Sequence, residues 1–136
     1  MADKVIFACV HSAGRSQMAA AWFNALVDSS RAQAQAAGTH PGPRVHPEVV
    51  EAMREAGVDV SGSTPQLLTA ELAADARLLV TMGCGEECPY VPGVERDDWP
   101  LEDPKGKAPE VVRRIRDDVK ARVAALISAR GWGVRR

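Results

Sequence analysis

The sequence has little that would suit it to an oxidising or membrane environment. Its 136 residues include only three cysteines, an odd number. No secretory segment is read at the start, where Met1-Ala2-Asp3-Lys4 leads into six uncharged residues before His11. A disulfide framework is therefore not expected, and reactive thiols in a cytoplasmic protein are. No run approaches the length of a membrane span. The formal net charge of -1 supplies no global field for nucleic acid or an anionic membrane. Internal repeats and low-complexity linkers are missing too, so residues 1–136 read as one domain. What remains is an ordinary balance, 46% hydrophobic and 26% charged, long enough to bury a core without disulfides or metals.

Strand and helix signals alternate along the chain. Val5-Ile6-Phe7-Ala8 is a short apolar run suited to a buried parallel strand. Residues 16–27 read as a helix with Met18, Trp22, Ala25 and Leu26 on one face. A second strand spans 33–37, closed by Gly38. After a loop containing Pro41 and Pro43, Pro47 opens a helix over 47–56 that Gly57 ends, with Val49, Val50, Met53 and Ala56 as its apolar side. Thr69 is an N-cap candidate for a short helix ending near Ala74. Leu78–Thr81 is a third strand and 95–99 a fourth. A long helix over 109–129 carries the stripe Val112, Ile115, Val119, Val123 and Leu126, with Glu110–Arg114 and Asp118–Arg122 as i,i+4 pairs. This order predicts an open parallel α/β sheet. Ligands of such sheets bind beyond the carboxyl ends of the strands. Cys9 falls there after the first strand, and residues 82–88 after the third.

The segment Cys9-Val10-His11-Ser12-Ala13-Gly14-Arg15-Ser16 joins a strand to a helix through small residues. A short loop entering a helix aims several backbone N–H groups at one spot, and the helix dipole adds positive potential. That cradle suits a tetrahedral oxyanion bound by Val10, His11, Ser12, Ala13 and Gly14, with Arg15 adding a two-pronged fork. The same field stabilises a thiolate at Cys9. Ser16 can donate to the sulfur, and Gly14 allows close backbone approach. The bland alternative is a buried structural cysteine in a strand-to-helix turn. Asp103, held extended by Pro104, can reach over a neighbouring site and protonate a leaving oxygen; otherwise it is a turn-forming Asp-Pro.

Cys84 and Cys88 stand four apart among Gly83 and Gly85, which suits mobile thiols. Half a zinc site would have the same spacing, but no second ligand pair exists, so no metal is expected. His11 should point outward while its backbone binds. His40 and His46 carry no ligand spacing and receive no role. Trp22 reads as core, whereas Trp99 and Tyr90 are candidates for the rim of the site.

The Cys-x5-Arg-Ser loop, the following Gln17-Met18-Ala19 and the later Asp103-Pro104 resemble the low-molecular-weight tyrosine phosphatases. Ala37-Gly38-Thr39, Ala56-Gly57-Val58-Asp59, Val80-Thr81-Met82 and Ile115-Arg116-Asp117-Asp118 resemble the arsenate reductases within that family. The resemblance covers essentially the whole chain. It implies a four-stranded parallel sheet flanked by helices, attack of Cys9 on arsenate with Asp103 assisting departure of water, and a relay through Cys84 and Cys88 to thioredoxin. Phosphate and sulfate would compete with arsenate, and no cofactor would be bound. Three departures stand out. Ser12 replaces the usual Asn that props the loop, Gly14 replaces a Cys present in some members, and Ala20 replaces a Glu that some members use with that Asn to bind potassium. Two other readings remain open. One is a phosphotyrosine phosphatase, although Lys105-Gly106-Lys107 stands where aromatic residues usually follow the Asp-Pro. The other is a reductase served by a low-molecular-weight thiol such as mycothiol, which would need only Cys9.

Overall fold

The computed structural model describes residues 2–83 and 91–133. Four strands, β1 (Asp3–Cys9), β2 (Ala32–Gly38), β3 (Leu78–Thr81) and β4 (Glu95–Asp98), form one sheet in the order β2-β1-β3-β4, every pairing parallel. The helices are α1 (Arg15–Leu26), α2 (Pro47–Glu55), α3 (Ala70–Ala73) and α4 (Pro109–Arg130). This is the expected four-stranded α/β sheet flanked by helices.

Alternation along β1 divides the core between the two faces of the sheet. Val5, Phe7 and Cys9 join the larger cluster with residues of α1, α2 and α4. Ile6 and Ala8 join a smaller one with Leu68, Ala73 and Leu79. Phe7 packs its ring against Phe23 at 5.9 Å and Trp99 at 5.5 Å between centroids. Burying each such side chain contributes roughly 1.5–3 kcal/mol. The two central strands are apolar where they are covered on both faces. The edge strand β4, Glu-Arg-Asp-Asp, is exposed throughout, and its charges discourage edge-to-edge pairing.

Details differ from the sequence expectations, each for a packing reason. Cys9 is the last residue of β1, paired in register with Gly38, because the ladder continues until the loop turns. On α1 the fully buried aromatic is Phe23, and Ala25 is only partly covered. Ala52 rather than Ala56 faces the core from α2, and Ile127 rather than Leu126 completes the α4 stripe. Arg114 reaches Glu102 at 3.2 Å instead of Glu110, while Asp118–Arg122 forms as expected at 3.4 Å. Thr69 caps α3, its side chain accepting from the Leu72 N–H at 3.0 Å. Trp99 is a core residue, its indole N–H donating to Asp97, and not part of a rim. None of the helices in the described residues is long and apolar enough to cross a membrane.

Candidate active site

The loop between β1 and α1 is shaped from outside by its carbonyls. Backbone N–H groups from the β2–α2 connection hold four of them: Thr39 donates to the Cys9 carbonyl at 3.3 Å, His40 to Val10 at 2.8 Å, Gly42 to His11 at 2.9 Å and His46 to Ala13 at 2.8 Å. The Ser12 carbonyl accepts from the Gln17 side chain at 2.8 Å, and the Gly14 carbonyl from Met18 at 3.0 Å. In a trans peptide the next residue's N–H points opposite the carbonyl. Six outward carbonyls therefore turn the N–H groups of the loop to its inner side. Gly38 makes this possible, since a Cβ there would lie 2.6 Å from the Val10 carbonyl oxygen and 2.7 Å from the Ser12 nitrogen. Gly14 caps α1 with no side-chain acceptor, so the first-turn donors of the helix also remain for an anion.

Cys9 and Ser16 lie at the root of this loop, Sγ and Oγ 3.0 Å apart and both buried. Arg15 is 8% exposed. Its Nη1 donates to the Leu101 carbonyl at 3.1 Å, and its Nη2 lies 3.9 Å from Asp103 Oδ2. Its Nε is buried with no hydrogen-bond partner among the described residues. A buried charged donor left unpaired is costly, so this edge of the guanidinium is the one left to meet an anion. Gly83 closes the other side. Its φ is +97°, and a Cβ there would overlap Arg15 Nη1.

The Asp103 loop packs directly on the anion loop. A Cβ at Gly14 would sit 3.0 Å from Pro104 Cγ and 3.2 Å from His46 Cδ2. Asp103 is half-exposed and accepts the Lys105 N–H at 3.0 Å, a short turn that fixes the carboxylate beside Arg15. Burial pushes the His46 imidazole below its ordinary value, with Glu48 and Asp103 pulling the other way. His11 bonds the His40 carbonyl through Nδ1 at 3.0 Å, which directs its side chain away from the loop interior.

The structure thus brings together Cys9, the loop 10–14, Arg15, Ser16 and Asp103. Cys84 and Cys88, and with them Tyr90, lie outside the described residues. The sequence reading missed Gln17, the Leu101 carbonyl, the Gly83 contact and the backbone service of His40 and His46. Only Gln17, a polar residue on the buried side of a helix start, left a trace that sequence could show. No cluster of three or more His, Cys, Asp or Glu residues able to hold a metal occurs among the described residues.

Comparison with known proteins agrees with this geometry. The family model for low molecular weight phosphotyrosine protein phosphatase matches residues 4–131. A Halobacterium salinarum protein provisionally named arsenate reductase is 40% identical over 126 residues, covering 88% of this chain and 87% of that one. The glutaredoxin arsenate reductase of Synechocystis is 36% identical over 128 residues, covering 92% and 96%. Among solved structures, the thioredoxin-dependent arsenate reductase of Corynebacterium glutamicum superposes with a TM-score of 0.79 at 34% identity over 94% of this chain. This chain spans 61% of the length of that protein. The chain belongs to the low molecular weight phosphotyrosine protein phosphatase family, a family of enzymes, and within it is similar to proteins named arsenate reductase.

Proposed function

We propose that the protein reduces arsenate to arsenite for arsenic detoxification in the cytoplasm, with Cys9 as nucleophile. The observation that carries the reading is the buried Cys9–Ser16 pair at the root of an oxyanion-shaped loop, followed by an Arg15 whose buried Nε has no partner among the described residues. Loop amides and Arg15 bind the oxyanion. The Cys9 sulfur attacks arsenic, Ser16 donates to the sulfur before attack, and Asp103 protonates the departing oxygen, which leaves as water.

The adduct then needs two electrons. Cys84 attacks the Cys9 sulfur, a disulfide forms between them, and the electron pair of the broken sulfur–arsenic bond stays on arsenic, which leaves as arsenite. Cys88 exchanges onto Cys84 and carries the disulfide out to thioredoxin. Gly83, where a Cβ would overlap Arg15 Nη1, immediately precedes Cys84 in the sequence. The glutaredoxin named in one relative keeps a second donor in view, a small thiol attacking the Cys9 adduct directly. Arsenite release measured with thioredoxin and its reductase, against a small thiol with glutaredoxin, tests the reading. Wild-type turnover and a dead Cys9→Ser support it. With thioredoxin, Cys88→Ser should release one arsenite per chain and trap a Cys9–Cys84 disulfide visible by peptide mass spectrometry. Full turnover by both Cys84→Ser and Cys88→Ser would overturn the relay and leave direct attack by a thiol.

A further inference from the structure

We infer that Gln17 is a positioning residue for the oxyanion loop and does here, from the helix, what an amide side chain inside the loop would do. The inference rests on the oxyanion reading of the loop. Ser12 is the one non-glycine residue with positive φ, 52°, among the described residues. It is fully buried. A β-carbon in that left-handed region is strained, and serine favours it less than glycine or asparagine does. Something must hold it there.

The neighbouring peptides are held by backbone. Thr39, His40, Gly42 and His46 donate main-chain N–H groups to the carbonyls of Cys9, Val10, His11 and Ala13, and no substitution removes those donors short of proline. The Ser12 carbonyl is the exception in this run, since its donor is the Gln17 side-chain amide at 2.8 Å. Ser12 cannot hold itself. Among the described residues its Oγ makes only long contacts of 3.5 Å, to Gln17 Nε2 and to the Gln66 N–H. Gln17 is 5% exposed and lies in the first turn of α1, two residues after Arg15, so the helix that carries the arginine also anchors the strained peptide.

That peptide matters because its other end is the Ala13 N–H. While Gln17 holds the Ser12 carbonyl outward, the Ala13 N–H points inward. Released, the peptide can turn about Ser12 ψ and Ala13 φ, which replaces an inward donor with an inward carbonyl facing the anion. Gln17 therefore acts on oxyanion affinity without touching the anion.

Inorganic phosphate protection of Cys9 against alkylation reads this out on the full chain. Gln17→Met keeps the length and removes the donor. Gln17→Glu keeps the shape and presents an acceptor to an acceptor. Each should need about tenfold more phosphate than wild type for half protection, in line with the loss of one buried hydrogen bond. Ser12→Asn in the Gln17→Met background should recover most of that affinity, because asparagine adopts the left-handed conformation more readily. A purely structural role in packing α1 would lower the melting temperature and would not be rescued at Ser12. Unchanged phosphate affinity in both Gln17 variants, or loss without rescue, overturns the inference. If phosphate fails to protect wild-type Cys9, the oxyanion reading itself falls and the inference with it.

Discussion

Arg15 is crowded into one orientation by three neighbours: the Leu101 carbonyl, the Asp103 carboxylate and the bare Cα of Gly83. Gly83→Ala adds a methyl group where Nη1 sits and strains a backbone at φ +97°. The fork must then shift by about an ångström. Misplacement of that order can cost about 100-fold in rate, so kcat/KM for arsenate should fall by that order while the circular dichroism spectrum stays native. Wild-type kinetics in Gly83→Ala would show that Arg15 is not held as described. Asp103→Asn tests a different step. The amide retains the turn that accepts the Lys105 N–H but has no acidic proton to give. Single-turnover formation of the Cys9 adduct should slow by roughly 100- to 10,000-fold with phosphate affinity kept. An unchanged single-turnover rate would remove Asp103 from the chemistry.

At the scale of elements, the anion loop is finished by the β2–α2 connection, which bonds its carbonyls, and α2 is in turn tied to α4. Glu55 at the end of α2 takes both prongs of Arg113 at 2.9 Å, with Arg116 at 3.6 Å. The Arg113 hydrogen bonds and the charges of Arg113 and Arg116 hold the Glu55 carboxyl below its ordinary value near 4.5. The unfolded chain therefore binds more protons than the folded one between these two values, so stability rises with pH across that window. The tie is complete above pH 4.5 and is lost as pH falls through the lowered value. Glu55→Gln should flatten the pH dependence of urea midpoints on the acid side of 4.5 by lowering them above that pH and leaving them unchanged well below it, and the loss at neutral pH should be small because exposed pairs contribute little. An identical acid slope in the variant would dissociate Glu55 from acid unfolding. Elements of this kind were legible where one periodicity ruled. The α4 stripe and the Pro47 start read directly. The bonds between the Pro-rich connection and the loop did not, because backbone N–H groups carry no residue signature. His40 and His46 drew no role from their side chains, and their main chain supplied one.

At the scale of the whole molecule, the parallel α/β sheet and the Cys9, Arg15 and Ser16 cluster were legible because strand–loop–helix grammar places them together. Long-range closure was not. Trp132, just beyond α4, is 6% exposed, packs edge-on to Phe23 at 5.6 Å and donates its indole N–H to Asp3 at 3.0 Å. No local pattern announces a bond between residues 129 apart. The contact clamps the far end of α4 onto the start of β1 and onto α1, opposite the end of the sheet where Cys9 lies. Trp132→Ala removes a large core ring and leaves the Asp3 carboxylate without that donor. Truncations of this kind typically cost about 3–5 kcal/mol, a large share of the roughly 5–15 kcal/mol that holds a domain folded. The melting temperature should drop sharply. Below it, the anion loop keeps its own partners in the β2–α2 connection, so phosphate protection of Cys9 should be close to wild type. Stability and oxyanion affinity would then separate cleanly between the two ends of β1. Equal losses of both in Trp132→Ala would mean that the loop depends on the clamp, and that β1 transmits the strain along its length.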